Sequence, residues 1–595
     1  MHAVADPLAR LPPEIVLRVL EFASLSTLVS LTAVSKAWHG FIDVTHQDAI
    51  YSSKVGACTR DLSSVADIPT FSKWFGNITS WRELCRRQRL LAGNWARAHP
   101  VSRDLVLQIG DDPVWRFRVD LKRRFIISTS HAGGLNVTDL DSGEILWRLP
   151  STLDSDAEEA VRPYAHLEYQ DGMAVFDREG DAVEVWQADL DGAPRGEFRR
   201  IAVLEHDCQT RGFQLSYSTL CVVSTEGQGF VYDMTQRPPR RTTHLTIEND
   251  AVGHLDQSHD TVIYSMGPRG YHFYDKSTGE FMGALNPSDC TERYHVSSST
   301  GSSSGETRPM AASRSGSAAP VSLGPASSDR LMPIQIAKGR LWPPPTDPDH
   351  VRNRDDEWGA GMEDGGLFVG VSRAGRVFVC SDWRKALRDC RSFQECSAII
   401  ECDSDGSTFD LGGWLSVHKN RLMFEVGDRA YIVALDENGR IQDPDRPLRA
   451  SYSLYTSSTP QLAVPVSFMA MYEDSIMTTY TTLGQRLHNR DPAAPTIQNG
   501  FNRIFPTKTI RIVSLAPDRP SSTSTNPVDE LRRANAGFWS PDEEPRTADA
   551  ALRSQALLQL ISMFREEFAE GDDNEIDIGI EDEWEDINDD SGVAQ

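Results

Sequence analysis

"GLNVTDLDSGEILWRL", residues 134–149, alternates apolar and polar residues, breaks into a short polar turn and then alternates again. Alternation with a period of two marks a half-buried strand. The turn between the halves, Asp139 to Gly143, has the form D-x-x-S/T-G. Its glycine supplies the positive φ that a tight hairpin with a bulge requires. The stretch predicts two antiparallel strands joined by a bulged turn. The theme returns at 183–198, 229–245 and 270–285, where Asp275 to Gly279 repeats the turn pattern. Weaker copies follow at 366–383, 414–441 and 467–483, the last together with 510–517.

The first four copies succeed one another at roughly 45 residues, near the period of a four-stranded propeller blade. A single blade cannot bury both of its faces, so such units stack and close into a ring. The units resemble divergent WD repeats, and seven are counted. The predicted fold is mainly β: N-terminal helices over 8–54, a linker with a helix over 55–103, and a seven-bladed propeller over 104–516. Residues 297–329 are rich in Ser, Gly, Ala and Pro and are followed by "RLWPPPTDPD". Such a composition cannot repay the entropy of ordering, so about 288–362 is expected to be a mostly disordered insertion. Residues 517–595 read as a low-complexity linker, a short amphipathic helix at 547–568 and an acidic tail.

The chain has 595 residues, of which 39% are hydrophobic and 25% charged, so it can bury a substantial core. No apolar run approaches the roughly 20 residues that span a bilayer, and the first residues do not resemble a signal peptide. Nine scattered cysteines without a C-x-x-C pair suit a reducing compartment. The expected location is the cytoplasm, the nucleus or both. The net charge is −26, and residues 566–590 hold 14 acidic and no basic residues. Phosphate backbones would repel such a chain, so neither nucleic acid nor membrane is expected as a partner. Arg237, Arg240 and Arg241 form a local basic cluster, more simply a solvated turn than an anion contact.

The N-terminal stretch "LPPEIVLRVLEFASL", 11–25, has a different period. On a helical wheel Glu14, Arg18 and Glu21 form one narrow polar stripe, while Ile15, Val16, Leu17, Val19, Leu20 and Phe22 cover roughly 220°. A helix lying on one core needs about half of that. Pro12 or Pro13 fixes the helix start, and Ser24 or Ser26 can cap the next helix, where Leu28, Leu31, Val34 and Trp38 recur at helical spacing. Fewer than fifty such residues cannot cover this much apolar surface by themselves.

"LARLPPEIVLRVLEFASLSTLVSLTAVSKAWHGFI" resembles an F-box: Leu-Pro before an acidic residue, an apolar helix, a Leu-x-x-Leu segment and Val-Ser-Lys-x-Trp. Ser35-Lys36 stands where the family usually has Cys-Arg. "WRELCRRQRLLAGNW", 81–95, resembles the helix that often joins an F-box to its substrate domain. The whole arrangement is similar to fungal-type F-box/WD proteins. The resemblance implies that the F-box docks on a Skp-type adaptor, which links it to a cullin scaffold, while the propeller holds a protein substrate. The chain would then be the substrate-recognition subunit of an SCF-type ubiquitin ligase, acting by tethering rather than by catalysis. The candidate adaptor-binding residues, a mixture of contact and core, are Leu11, Pro12, Ile15, Val16, Leu20, Leu28, Leu31, Val34 and Trp38. The alternative is a non-degradative F-box/propeller scaffold in a complex without cullin.

No catalytic residue, cofactor or metal is expected. "GSSSG", 301–305, fits G-x-S-x-G but lies in a serine-rich linker, not on a strand-to-helix turn. Cys390, Cys396 and Cys402 are spaced too widely for a usual zinc pair, and buried thiols are the simpler reading. A propeller enzyme would need carboxylates, His or metal ligands converging in the central channel, and no spacing announces them. In the tail, "NEIDIGIEDEWEDI", 574–587, places Ile576, Ile578 and Ile580 on one face of an extended strand with acids on the other. Such a segment suits addition to an exposed sheet edge, although a solvated acidic tail is the simpler reading. Ser540-Pro541 before three acids fits either a phosphorylation site or a helix start.

Overall fold

A computed structural model describes residues 7–55, 68–110, 112–155, 157–178, 182–190, 192–247, 254–298, 331–341, 358–372, 375–402, 414–458, 465–485 and 504–517. The readings placed on 299–330, 342–357 and the tail beyond 517, including "GSSSG", Ser540 and the isoleucine segment, lie outside these residues. The chain divides into two compact units. One comprises residues 1–103 with 472–475 and 514–521, and the other comprises the rest.

Among the described residues the second unit is a β-propeller of seven four-stranded blades, five of them separate sheets and two joined in one larger sheet. The first six blades are β2 to β5 (Val114–Asp120, Phe125–Ser130, Leu135–Asp139, Ile145–Leu149), β6 to β9 (Leu167–Gln170 through Phe198–Glu205), β10 to β13 (Thr210–Ser216 through Arg240–Thr246), β14 to β17 (Leu255–Gln257 through Phe281–Leu285), β20 to β23 (Trp358–Asp364 through Ser397–Glu401) and β24 to β27 (Leu415–Val417 through Ser451–Tyr455). The seventh joins β28 (Met469–Met471), β29 (Ser475–Gln485) and β30 (Ile504–Ser514) to β1 (Arg103–Leu107), so one blade holds strands from both ends of the domain. Buried Arg511 of β30 pairs with Asp104 of β1 at 2.9 Å, which fastens that closure.

The turn chemistry follows the sequence pattern. Gly143 adopts φ 76°, and Asp139 Oδ1 accepts from the backbone N–H groups of Asp141 and Ser142 at 2.8 and 2.6 Å. Asp275 does the same for Ser277 and Thr278, with Gly279 at φ 76°. In both hairpins the register shifts just before the turn, at Val137/Thr138 and Phe273/Tyr274. This is the bulge that the alternation followed by a glycine turn predicts.

Sheet faces are buried against the next blade. One apolar cluster joins the first two blades around Val137, Phe176 and Trp186, and others follow between successive blades as far as the sixth. Phe468, just before β28, meets Phe117 of β2 edge to face at 4.9 Å and brings the last blade against the first. Each interface buries several side chains worth about 1.5–3 kcal/mol apiece, so stability comes from stacking rather than from any single sheet.

The expectation of disorder over 288–362 is corrected for its described parts. β18 (Arg293–Ser298) and β19 (Met332–Lys338) form an antiparallel hairpin. β18 pairs in parallel with β23, and β19 pairs antiparallel with β27, so the fifth and sixth blades become one ten-stranded sheet. The physical reason is edge satisfaction: two outer strands with unpaired N–H and C=O groups lie close enough for one hairpin to cover both.

Candidate docking site on the N-terminal helices

The first unit begins with α1 (Pro7–Arg10), α2 (Pro13–Glu21), α3 (Leu25–Thr32), α4 (Lys36–His39), a wide helical turn over Gly40–Thr45, and α5 (Gln47–Ser52). The longer α6 (Trp81–Trp95) follows. Pro13 opens α2 because a first-turn residue needs no N–H partner. Ser24 and Ser35 cap α3 and α4 by accepting from Thr27 N at 3.1 Å and Trp38 N at 3.2 Å. Ser80 caps α6, which runs two residues past Gly93 to bury Trp95. Lys54 Nζ donates to the last carbonyls of α2, Leu20 O at 2.8 Å and Glu21 O at 2.6 Å, placing its positive charge at the helix C-terminus.

Buried Asp43 ties the helices together. It accepts from Tyr51 Oη at 3.0 Å and lies 3.2 Å from His39 and 3.4 Å from Arg82. Burial, with the Asp43 carboxylate beside it, pushes the Tyr51 hydroxyl up to about 12. The unit also holds the turn at 472–475. Asp474, fully buried, accepts from Phe71 N and Ser72 N at 2.9 Å each and from the Ser72 hydroxyl. Asn94 Nδ2 donates to Leu515 O at 2.7 Å, and Trp95 Nε1 donates to Glu473 O at 3.1 Å.

The helices sort the nine candidate residues into two groups. Val16, Leu20, Leu28 and Trp38 are buried in the unit's own core, Leu31 is half-buried, and Leu11, Pro12, Ile15 and Val34 are exposed. Of the expected mixture of contact and core, these four buried residues lie on the core side, since the helices already use their surface. The exposed surface extends to Val19, Phe22, Val29 and Val44, which sequence reasoning had not selected as contacts. On α2 the buried pair and the exposed residues lie on adjacent parts of one apolar arc, with Ile15, Val19 and Phe22 between the core side and the Glu14–Arg18–Glu21 stripe. The excess width of the arc was the signal for them. Arg18 pairs with Glu21 and lies 5.4 Å over the Phe22 ring, leaving the other face of that ring to solvent.

This helical unit resembles a known domain. Residues 8–46 match the F-box-like family. The chain carries an F-box-like domain. Among curated proteins, no sequence matches the chain. Solved structures similar to it include Sqt1 of Saccharomyces cerevisiae, at 8% identity over 71% of this chain and 100% of that one, with a TM-score of 0.38. The β-propeller domain of Cps50 (Swd1) from Myceliophteria thermophila is similar at 11% identity over 69% and 99%, TM-score 0.37. BamB from Moraxella catarrhalis is similar at 10% identity over 70% and 99%, TM-score 0.35. The F-box-like domain stands on one chain with the propeller whose sheets are described above.

Within the propeller, the inner strands gather a polar group that no sequence spacing announces. Arg118 of β2 donates to Glu168 of β6 at 2.5 Å, His166 lies 3.0 Å from Glu168, and Arg116 lies 2.8 Å from His166. Arg116 stacks over Trp414 at 4.4 Å and Arg118 over Phe468 at 4.0 Å. Despite the burial penalty, Arg118 and His166 hold the Glu168 carboxyl down at about 2, while burial and the neighbouring Arg116 hold His166 down at about 3. Glu168 therefore stays charged and His166 neutral, and the group joins residues of four blades across the inner strands. Of the three evenly spaced cysteines, Cys396 and Cys402 are buried and Cys390 is exposed. Among the described residues no cluster of His, Cys, Asp or Glu is arranged to hold a metal, and no helix is long and apolar enough to cross a membrane.

Proposed function

We propose that the protein is a non-catalytic substrate-recognition subunit of an SCF-type cullin ubiquitin ligase. Its F-box-like domain docks on a Skp-type adaptor, and its propeller holds the target protein. The observation that carries this is the apolar stripe of Leu11, Ile15, Val19 and Phe22, which stays in water although the same helix buries Val16 and Leu20. A domain that has already filled its core gains nothing from such a stripe in isolation, and exposed apolar stripes of this kind mark protein contacts. The work of the chain is then to raise the effective concentration of target lysines near the ubiquitin-loaded enzyme.

The test is co-purification of the full chain with a Skp-type adaptor and a cullin. Ile15→Asp and Val19→Asp together should abolish adaptor capture while leaving the folded fraction unchanged. Retained capture with both substitutions refutes adaptor docking on this stripe. Adaptor capture without cullin identifies the chain as a non-degradative scaffold instead.

A further inference from the structure

The longest helix of the helical unit, α6, carries an uneven surface charge. Residues 81–97 contain five arginines and one glutamate, in a chain whose net charge is −26. At about 100° per residue, Arg82, Arg86 and Arg89 fall within roughly 60° of one another, with Gly93 inside that arc and Leu90 beside it. All five of these residues are exposed, and so is Arg97 just past the end of the helix.

The carboxylates within reach are shared rather than matched one to one. Glu83 accepts from Arg86 at 3.0 Å and from Arg87 at 2.9 Å, and buried Asp43 lies 3.4 Å from Arg82 and 3.2 Å from His39. Arg87 turns inward and donates to Trp74 O and Gly76 O at 2.8 Å each. Arg89 has no carboxylate partner among the described residues. On the propeller, by contrast, exposed Arg195 and Arg384 meet Asp139 and Asp260 respectively. The arginine face of α6 is therefore left with positive charge that its neighbours do not offset.

The described chain also ends at this helix. Asn94, one residue before the end of α6, donates from Nδ2 to Leu515 O at 2.7 Å, and Pro517 is the last described residue. Roughly 50 residues further on begins the stretch 566–590, with 14 acids and no base. A flexible chain of that length has an r.m.s. reach of about 40 Å, against about 22 Å for the whole length of a 15-residue helix. A tether of this kind holds its end at an effective concentration of order 1 mM.

We infer that the arginine face of α6 is the docking site of the chain's own acidic stretch, residues 566–590. The contact is one of charge and needs no fixed backbone shape in the tail, because a run of carboxylates can follow a row of guanidinium groups in any local conformation. Single exposed pairs are weak, so occupancy comes from several carboxylates and the tether together, and the contact is sensitive to salt. This inference does not depend on adaptor docking.

The test is carbodiimide coupling of the full-length protein, which joins a lysine to a carboxylate in contact with it, read by peptide mass spectrometry on the monomer. Two full-length variants each place one lysine: Arg89→Lys on α6, and Arg240→Lys at an exposed arginine of β13. In low salt, position 89 should couple to residues 566–590 at least about tenfold more than position 240, and in about 500 mM salt, where charges are screened beyond about 4 Å, that coupling should fall at least about fivefold. Adding Arg86→Glu to Arg89→Lys should lower it by a similar factor with Tm unchanged. Equal coupling at the two positions overturns the inference, since diffuse attraction needs no arginine face, and so does coupling that Arg86→Glu leaves intact. Coupling confined to covalent dimers assigns the face to a second copy's tail and overturns docking within one chain. Absence of coupling at position 89 overturns it as well. In that case, sedimentation of the parent with phosphatidylserine vesicles, lost in Arg86→Glu with Arg89→Glu, would make the face a membrane contact instead.

Discussion

Replacing Phe22 by Ala separates docking surface from core more cleanly than any other change in the F-box-like domain. The ring is 79% exposed, beside Val19 at 58%, Ile15 at 49% and Leu11 at 42%. Fully burying a phenylalanine is worth up to about 3 kcal/mol, so covering the exposed four-fifths contributes about 2 kcal/mol to adaptor binding. That loss corresponds to a Kd weakened about 30-fold. The free protein should change in stability by no more than about 0.5 kcal/mol, because the lost atoms were already in water. Leu28→Ala is the counterpart: the side chain is fully buried, and its removal should cost about 2–5 kcal/mol of stability. The assays are calorimetric titration with a Skp-type adaptor and chemical denaturation of the free chain. If Phe22→Ala binds within twofold of the parent, or unfolds as readily as Leu28→Ala, the division of α2 into a core side and a docking side is wrong.

Other parts of the molecule carry further expectations. Asp474→Ala strips the acceptor from Phe71 N and Ser72 N, leaving buried donors unsatisfied. It should cost about 2–5 kcal/mol and accelerate proteolysis within residues 68–80, and wild-type resistance there would count against the contact. Gly370 of β21 (Leu367–Ser372) has no room for a Cβ because the Tyr271 ring occupies that space, and Tyr271 Oη donates to Ala360 O at 3.1 Å. Gly370→Ala should destabilise the propeller by about 3 kcal/mol, read as a lowered Tm. Burial lowers His131 and His254 to about 4 and, with the neighbouring Arg116, lowers His166 to about 3. Below about pH 6.5 the unfolded chain therefore takes up protons that the native state refuses, and stability falls as pH drops toward 4. Asp256, raised to about 7 by burial, acts in the opposite sense and loses its contribution as pH rises from about 4 to 7. His131→Phe should recover up to about 2 kcal/mol of the acid loss between denaturation at pH 7 and at pH 5. Equal pH slopes in parent and variant would refute a neutral buried His131.

The propeller was legible where its chemistry is local. Asp139 and Asp275 cap their own turns within three residues, and each glycine supplies the φ its turn needs, so the bulged hairpin is written into five consecutive residues. The β18–β19 hairpin was not legible, because its partners are Ile399 and Ile400 on one side and Ser451 to Ser453 on the other. A strand whose stabilising neighbours lie a hundred residues away looks like linker when low-complexity sequence flanks it. "MPIQIAK" does alternate, and that was the available signal. The Arg116–His166 and Arg118–Glu168 contacts each join residues fifty apart, and only ring geometry brings them together. On α2 the wheel gave the width of the apolar arc but not which part faces inward, since Ile15 and Val16 are equally apolar.

That ambiguity bears on why the stripe exists. A small helical unit can reduce its exposed apolar surface by placing charge at Ile15, Val19 or Phe22, and its own folding would lose little, because none of the three is buried. The polar stripe of Glu14, Arg18 and Glu21 already occupies one side of the same helix, so charge is tolerated there. Val16 and Leu20 satisfy the inward side, and Lys54 satisfies the carbonyls at the C-terminus. Among the described residues nothing therefore requires three further large apolar residues in water, where they contribute chiefly a risk of aggregation. The proposed docking reading accounts for their presence as a surface that a partner covers. On the proposed reading an adaptor that buries them supplies that covering, which would also account for an arc about twice as wide as the domain's own core can use.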